Sequence, residues 1–165
     1  MPKFIHYFSN YLQQAAEASL ALLFYWLFRS LPIDISSGLA GWIARKIGPK
    51  LKVSMVAQQN LKRAFPEITS QDLKRIVTEM WDNLGRVVGE YPHLPILLKQ
   101  GIGQRIEIIG GEHIDTLRDD NKPGIFFMAH IGNWEFSGPA SEARNLPVDR
   151  VYRQANNPLT EWLLK

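Results

Sequence analysis

The sequence predicts an α/β protein with α+β character, in which membrane-associated helices precede a β-α-β-α-β sheet region. Two observations predict this order. As far as Glu90, apolar residues recur at helical spacing, whereas from Arg105 onward short apolar or alternating stretches of strand length appear. Three predicted strands, at 105–109, 125–129 and 148–152, are separated by helical segments. This alternation indicates a parallel or mixed sheet with right-handed crossovers.

The composition is that of a folded protein without thiol chemistry. The chain has 165 residues, of which 45% are hydrophobic and 21% are charged. This is sufficient for one unit with a hydrophobic core, and it excludes a disordered chain. There is no cysteine, so disulfides and thiolate metal sites are excluded. The four histidines lack the spacing of a zinc-binding helix, so no metal site is predicted, and no cofactor is expected.

Residues 1–32 are interpreted as a membrane anchor helix. The helical pattern runs from Tyr11 to Leu31, its stretch 18–28 is uncharged, and Pro32 ends it. Crossing a bilayer takes about 20 apolar residues, and the stretch approaches this length only if it is extended back toward Tyr11. The segment is therefore expected to insert in the membrane or to tilt across it. A buried core helix and a cleaved signal peptide remain alternatives. Lys and Arg are denser after the segment than before it, which places the following chain on the cytoplasmic side.

A basic block follows the anchor. No Asp or Glu lies between Ile35 and Pro66. Residues 35–64 are expected to form one or two helices, with a break or a kink at Gly48 and Pro49. An apolar stripe beside basic positions is typical of an element at an anionic membrane surface. An acidic protein partner and a solvated helix face are alternatives. Nucleic acid is not expected, because no recognition motif is present. The basic block comprises Arg45, Lys46, Lys50, Lys52, Lys62 and Arg63.

A longer helix is predicted after this block. Thr69 and Asp72 form a capping box, and the apolar periodicity continues to about Glu90. Tyr91 and Pro92 end the helix. Shorter helices are predicted over 112–119, 134–144 and 158–164.

The candidate functional residues follow the second predicted strand, 125–129. His130 would lie at the C-terminal edge of the sheet, where α/β proteins usually place ligands. Gly132 permits a tight turn, and Asn133 is a candidate N-cap for the next helix. His130 is the candidate general base, and Glu135 its candidate partner, because a carboxylate on the far ring nitrogen fixes the tautomer and stabilises the imidazolium. Taken alone, the spacing is more typical of a core histidine and an acid favoured at a helix N-terminus.

The wider sequence resembles a known family. Met128-Ala-His-Ile-Gly-Asn-Trp-Glu135 resembles the His-x4-Asp/Glu box of glycerolipid acyltransferases, in the form typical of the late lauroyl and myristoyl transferases of lipid A synthesis. Three further stretches resemble the same family: Asn60-Leu-x-x-Ala-Phe-Pro-Glu67, Gly85-Arg-x-x-x-Glu90, and Val151-Tyr-Arg153 followed by Asn156-Asn157-Pro158-Leu159. The resemblance covers nearly the whole chain.

The resemblance implies an enzyme of the bacterial inner membrane with its catalytic part on the cytoplasmic face. It would transfer a fatty acyl group from acyl carrier protein to a hydroxyl of a lipid A precursor, a glycolipid acceptor. His130 would be the general base and Glu135 its orienting partner. Arg153, Asn133 and Gly132 are assigned to substrate binding: Arg153 to a phosphate, and Asn133 to the turn or to the developing oxyanion.

The resemblance also sets the expected domain organisation and the alternatives. Residues 33–165 are expected to be the N-terminal part of a single acyltransferase domain, because family members are much longer, and the acyltransferase fold is expected to be incomplete. Acylation of another glycolipid is the nearest alternative function. A truncated, non-catalytic membrane-associated protein and a soluble α/β binding module with a buried first helix are the others.

Overall fold

A computed structural model describes residues 2–97, 99, 103–149, 151 and 156–163. Within these ranges the chain is either helical or without regular secondary structure, and it forms no sheet. The longer helices are α1 (Pro2–Ser30), α2 (Ile33–Ile47), α3 (Ser54–Ala64) and α4 (Ser70–Glu90). The shorter ones are α5 (Leu94–Ile96), α6 (Gly111–Asp119), α7 (Ser137–Glu142) and α8 (Pro158–Leu163). Single 3-10 turns occupy Gly48–Lys50, Tyr91–His93 and Trp134–Phe136.

The breaks between the long helices follow the predicted signals. Pro32 separates α1 from α2, and the turn that contains Gly48 and Pro49 separates α2 from the segment leading to α3. Thr69 caps α4, because its hydroxyl oxygen accepts the backbone N–H of Asp72 at 3.0 Å. The predicted helical organisation of residues 35–90 is therefore confirmed.

The centre of the fold is the antiparallel pair α2 and α4. Small residues let the two backbones approach: a Cβ added at Gly89 would lie 2.6 Å from the Ser36 carbonyl oxygen, and one added at Gly85 would clash with the carbonyl of Ala40. The Ser36 hydroxyl donates to the Gly89 carbonyl at 2.6 Å. Close packing fixes the position of α4, on which the candidate site rests.

Helix α1 is hydrogen-bonded to the rest of the chain at its middle and near its C-terminal end. The ring of buried His93 lies 3.0 Å from the Phe28 carbonyl, and the Asn157 amide donates to the Gln14 carbonyl at 2.9 Å. Ala18 and Phe28 are buried, whereas most large apolar side chains of the helix are exposed. These are Tyr11, Leu12, Leu20, Leu22, Leu23, Phe24, Trp26 and Leu27.

None of the helices in the described ranges combines the length and the hydropathy needed to cross a bilayer. The expectation of a transmembrane helix is therefore not met there. Glu17, Gln13 and Gln14 interrupt the apolar stretch in α1, and Gln13 donates to Glu17 at 2.9 Å. The assignment of residues 1–32 as a membrane anchor remains a prediction.

The predicted α/β fold class is wrong for the described residues. Ile106 forms only an isolated bridge, and residues 123–129 have no regular secondary structure. In the range 148–152, residues 148, 149 and 151 are likewise irregular, and 150 and 152 lie outside the described residues. A strand is stable only when a neighbour completes its hydrogen-bond ladder. The alternating and apolar patterns therefore identify segments whose side chains suit a sheet, but they do not specify a partner strand.

In the second half of the chain, one of the three predicted helices is shorter than expected. α6 matches the predicted segment 112–119, and α8 begins at Pro158 as predicted. The segment 134–144 is instead a 3-10 turn followed by α7, which ends at Glu142. Gly138 and Pro139, both poor helix formers, lie in this segment.

Candidate acyl-transfer site

The segment 129–137, here called the histidine box, is a compact turn. The N–H of Ile131 donates to the Ala129 carbonyl at 2.9 Å, and Gly132 has φ +57°. This left-handed conformation is accessible to glycine at little cost. Asn133 then caps the 3-10 turn, because its side-chain oxygen accepts the Glu135 N–H at 3.2 Å. The predicted turn at Gly132 and the predicted capping role of Asn133 are confirmed.

The His130 side chain is exposed, and its ring packs against an aromatic neighbour. Its ring meets the Trp134 ring edge-on, with 4.9 Å between centroids and an interplanar angle of 76°. No hydrogen bond to the ring is found among the described residues. The ring is thus held on one side and accessible on the other, which is compatible with a base that must reach a substrate proton.

Glu135 lies on the same turn and is half-buried. In the described part of the chain, no hydrogen bond or ion pair joins it to His130. The structure therefore brings the two predicted catalytic residues onto one turn without forming the contact of a closed dyad.

Helix α4 holds the histidine box through two hydrogen bonds. The Asn83 amide donates to the Gly132 carbonyl at 3.1 Å, and the Asn133 amide donates to Glu90 at 2.7 Å. Glu90 also accepts the hydroxyl of Ser37, on α2, at 2.7 Å. The fold thereby fixes the box through polar contacts from residues more than 40 positions earlier in the chain.

A cleft of about 330 Å³ opens beside the box. Two of its charged lining residues form an ion pair, in which Arg105 donates to both oxygens of Asp34, at 2.8 and 3.1 Å. These hydrogen bonds and the charge of Arg105 lower the pKa of Asp34. Among the described residues, no group of three His, Asp or Glu side chains could hold a metal ion. The lining residues are Ile33, Asp34, Ser37, Arg86, Glu90, Leu97, Arg105, Ile106 and Phe136.

Comparison with known proteins identifies the family. The profile described as bacterial lipid A biosynthesis acyltransferase matches residues 5–165. The chain belongs to this family. The lipid A acyltransferase resemblance inferred from the histidine box is therefore confirmed. No solved structure matches the chain significantly.

Curated relatives carry related names. The chain is 28% identical over 145 residues to a lipid A biosynthesis acyltransferase of Haemophilus influenzae, covering 87% of this chain and 46% of the relative. It is 25% identical over 142 residues to the lipid A biosynthesis lauroyltransferase of Escherichia coli K12, covering 84% of this chain and 45% of the relative. It is 22% identical over 139 residues to the palmitoleoyltransferase of the same organism, with 84% and 45% covered. The chain spans less than half the length of these relatives.

Within this family member, the predicted substrate-binding residues fall into two groups. Gly132 and Asn133 form the turn of the box. The Gly132 carbonyl and the Asn133 side-chain amide are both hydrogen-bonded to α4. Arg153 lies outside the described residues. Its assignment to a phosphate remains a prediction.

Two residues of α4 that support the box have no sequence signature linking them to it. Glu90 is part of the Gly85-Arg-x-x-x-Glu90 resemblance, and Asn83 belongs to no motif. The two residues are seven positions apart and so lie two turns apart on one helix face. This spacing is the available signal, yet sequence alone does not say what lies opposite that face.

Proposed function

We propose that this chain provides the general base of an enzyme that transfers a fatty acyl group from acyl carrier protein to a hydroxyl of a lipid A precursor. The supporting observation is the match to the lipid A acyltransferase family over residues 5–165, a range that includes the histidine box. The sugar hydroxyl is a poor nucleophile at neutral pH and needs a base near its proton. His130 is the residue of the box with an exposed ring.

The proposed reaction forms an ester and releases a thiol. His130 removes the proton of the acceptor hydroxyl while the oxygen attacks the carbonyl carbon of the thioester. The carbon–sulfur bond then breaks, and the departing sulfur receives the proton from the His130 imidazolium. Glu135 would stabilise that imidazolium and fix the ring orientation. Arg153 would bind a phosphate of the lipid or of the carrier arm.

The proposed location is the cytoplasmic face of the bacterial inner membrane. All six cations of the basic block are exposed, and exposed apolar side chains lie among them, including Trp42, Ile47, Val53 and Met55. Anionic lipid attracts such a surface, and exposed apolar groups add to its affinity. Acyl carrier protein, which is acidic, is the competing partner for the same cations.

The test is transfer of label from radiolabelled acyl carrier protein to a lipid A precursor by membranes containing the chain. His130→Ala is expected to lower the rate by about 10²–10⁴-fold, the usual contribution of a positioned general base. His113→Ala, at an exposed position on α6, is the matched control and should retain the wild-type rate.

Two results would change the proposal. Transfer to a mannosylated phosphatidylinositol, without transfer to the lipid A precursor, would favour another glycolipid acceptor. No transfer above the His130→Ala level to any acceptor would overturn catalysis by this chain. It would then support the non-catalytic membrane-associated alternative.

A further inference from the structure

Glu90 connects three parts of the fold at a single carboxylate. Its Oε1 accepts the hydroxyl of Ser37 on α2, and its Oε2 accepts the side-chain amide of Asn133, each at 2.7 Å. Ser37 is only 7% exposed and is also approached by Arg86, whose guanidinium lies 3.5 Å from the hydroxyl oxygen. Glu90 is itself the last residue of α4.

The direction of the bond between Asn133 and Glu90 follows from the backbone. The Glu135 N–H can only donate, and it points at the Asn133 oxygen at 3.2 Å. The Asn133 nitrogen must therefore face Glu90. A carboxylate is the side chain that can accept from Ser37 and Asn133 together, and bonds to an ionised acceptor are about twice as strong as neutral ones.

The histidine box has few other supports in the described structure. Residues 123–129, which precede it, have no regular secondary structure, and Phe127 is 92% exposed. Among the described residues, the side-chain hydrogen bonds between the box and α4 are those of Asn83 with Gly132 and of Glu90 with Asn133. The conformation of the turn therefore depends on α4.

We propose that Glu90 is a positioning residue for acyl transfer: it holds Asn133, and through it the turn that carries His130 and Glu135. The inference rests on the proposed function of the box. Glu90 touches no reacting atom in this assignment. Its effect is to restrict the turn to one conformation, so that the base and its partner are presented together.

The test uses the full chain and a reversal of one hydrogen bond. Glu90→Gln keeps the shape of the side chain and can still accept from Asn133 through its oxygen if its amide nitrogen turns toward the Ser37 hydroxyl. Asn133→Asp alone would place two carboxylates in contact. Asn133→Asp is therefore expected to lower kcat by roughly 10²-fold, the cost of a misplaced catalytic group, with little change in KM for the acyl donor, whereas Glu90→Gln alone should have a smaller effect. The double variant Glu90→Gln/Asn133→Asp restores the bond with donor and acceptor exchanged and should recover most of the rate.

A second readout does not depend on activity. Amide hydrogen exchange of residues 131–137 should accelerate in Asn133→Asp and return toward the wild-type rate in the double variant. Glu79→Gln is the matched control, because Glu79 lies exposed on α4 and bonds to Arg75. It should change neither exchange in the box nor kcat.

Two outcomes would overturn the positioning role. One is wild-type kcat and wild-type exchange in Asn133→Asp. The other is a double variant no better than Asn133→Asp alone. If the wild-type chain transfers no acyl group, the proposed function fails, and the exchange measurements still decide whether Glu90 holds the turn.

Discussion

At the residue scale, Asp115 shows how charge ties the second half of the chain together. It lies on α6, accepts hydrogen bonds from Arg144 and lies 3.1 Å from the guanidinium of Arg118. Arg118 also donates to the Arg144 carbonyl at 2.8 Å, which connects α6 to the segment after α7. The hydrogen bonds from Arg144 lower the pKa of Asp115, and burial opposes this only in part.

This ion pair should make stability depend on acid pH. Because the pKa of Asp115 is lowered in the folded state, its contribution is present above the unfolded-state pKa of about 3.9 and is lost as pH falls through the folded value. Asp115→Asn is therefore expected to lower Tm at pH 7 by a small amount, and the difference from wild type should shrink toward pH 3. Thermal unfolding followed by circular dichroism measures it.

The control for this prediction is Glu67→Gln, at an exposed carboxylate without an ion pair among the described residues. Its difference from wild type should be near zero at every pH. A constant Tm difference for Asp115→Asn from pH 7 to pH 3 would show that charge is not what Asp115 contributes.

The local conformation of the histidine box could be predicted from sequence, but its surroundings could not. The order His130, Gly132, Asn133, Glu135 is local, and the turn and cap follow from the conformational preferences of glycine and asparagine. The exposure of His130 depends instead on whether residues 125–129 form a buried strand. They are exposed, and no local pattern shows this.

At the element scale, the close contact of α2 with α4 requires glycine at positions where a side chain would clash. A Cβ at Gly85 would meet the Ala40 backbone and the Ala44 side chain, and neither can move without shifting α2. Gly38 lies on the same α2 helix with no atom within 4 Å of the position that its Cβ would take. Substitution of these two glycines therefore distinguishes the effect of packing on stability from the effect of helix propensity.

We expect Gly85→Ala to destabilise the fold by about 1–3 kcal/mol, the usual cost of overpacking. Gly38→Ala should be neutral or stabilise it by about 0.5–1 kcal/mol, because alanine favours a helix interior. The midpoints of urea unfolding measure both effects. Equal midpoints for the two variants would contradict the close approach of α2 and α4.

Helices were predictable where strands were not, for a physical reason. A helix satisfies its hydrogen bonds within one segment, so caps and periodicity at Thr69, Gly48 and Pro32 are sufficient to place α2 and α4. A strand needs a partner, and the apolar run 125–129 specifies none. The same run exposes Phe127 almost fully, at 92%.

At the scale of the whole molecule, the exposed surface of α2, α3 and the segment between them combines cations with apolar side chains. Lys50 and Lys52 are exposed near Leu51 and Val53, which are 44% and 58% exposed. Such an arrangement favours a surface that is both anionic and partly apolar.

Binding to lipid vesicles tests this surface. Reversing two charges, Lys50→Glu/Lys52→Glu, should weaken partitioning onto anionic vesicles by more than about tenfold, since each Lys near an anionic membrane contributes about 1 kcal/mol. Lys74→Glu/Lys122→Glu makes the same charge change at exposed positions elsewhere and should weaken it much less. Equal losses in the two variants would mean that net charge, rather than this surface, governs binding.

Family membership could be predicted from sequence because the histidine box and its flanking stretches are local patterns spread along the chain. The support of the box could not, because Asn83 and Glu90 reach it only after α4 is placed by α2. The site is thus a local motif held by distant contacts.

We propose that His130 and Glu135 act as one catalytic unit, although no hydrogen bond joins them in the described structure. The most direct measurement is the rate of acyl transfer by His130→Ala, Glu135→Gln and the double variant. Residues that act as a unit lose activity non-additively. We therefore predict that the double variant is no slower than His130→Ala alone. Losses that multiply, or a His130→Ala variant with the wild-type rate, would contradict the claim.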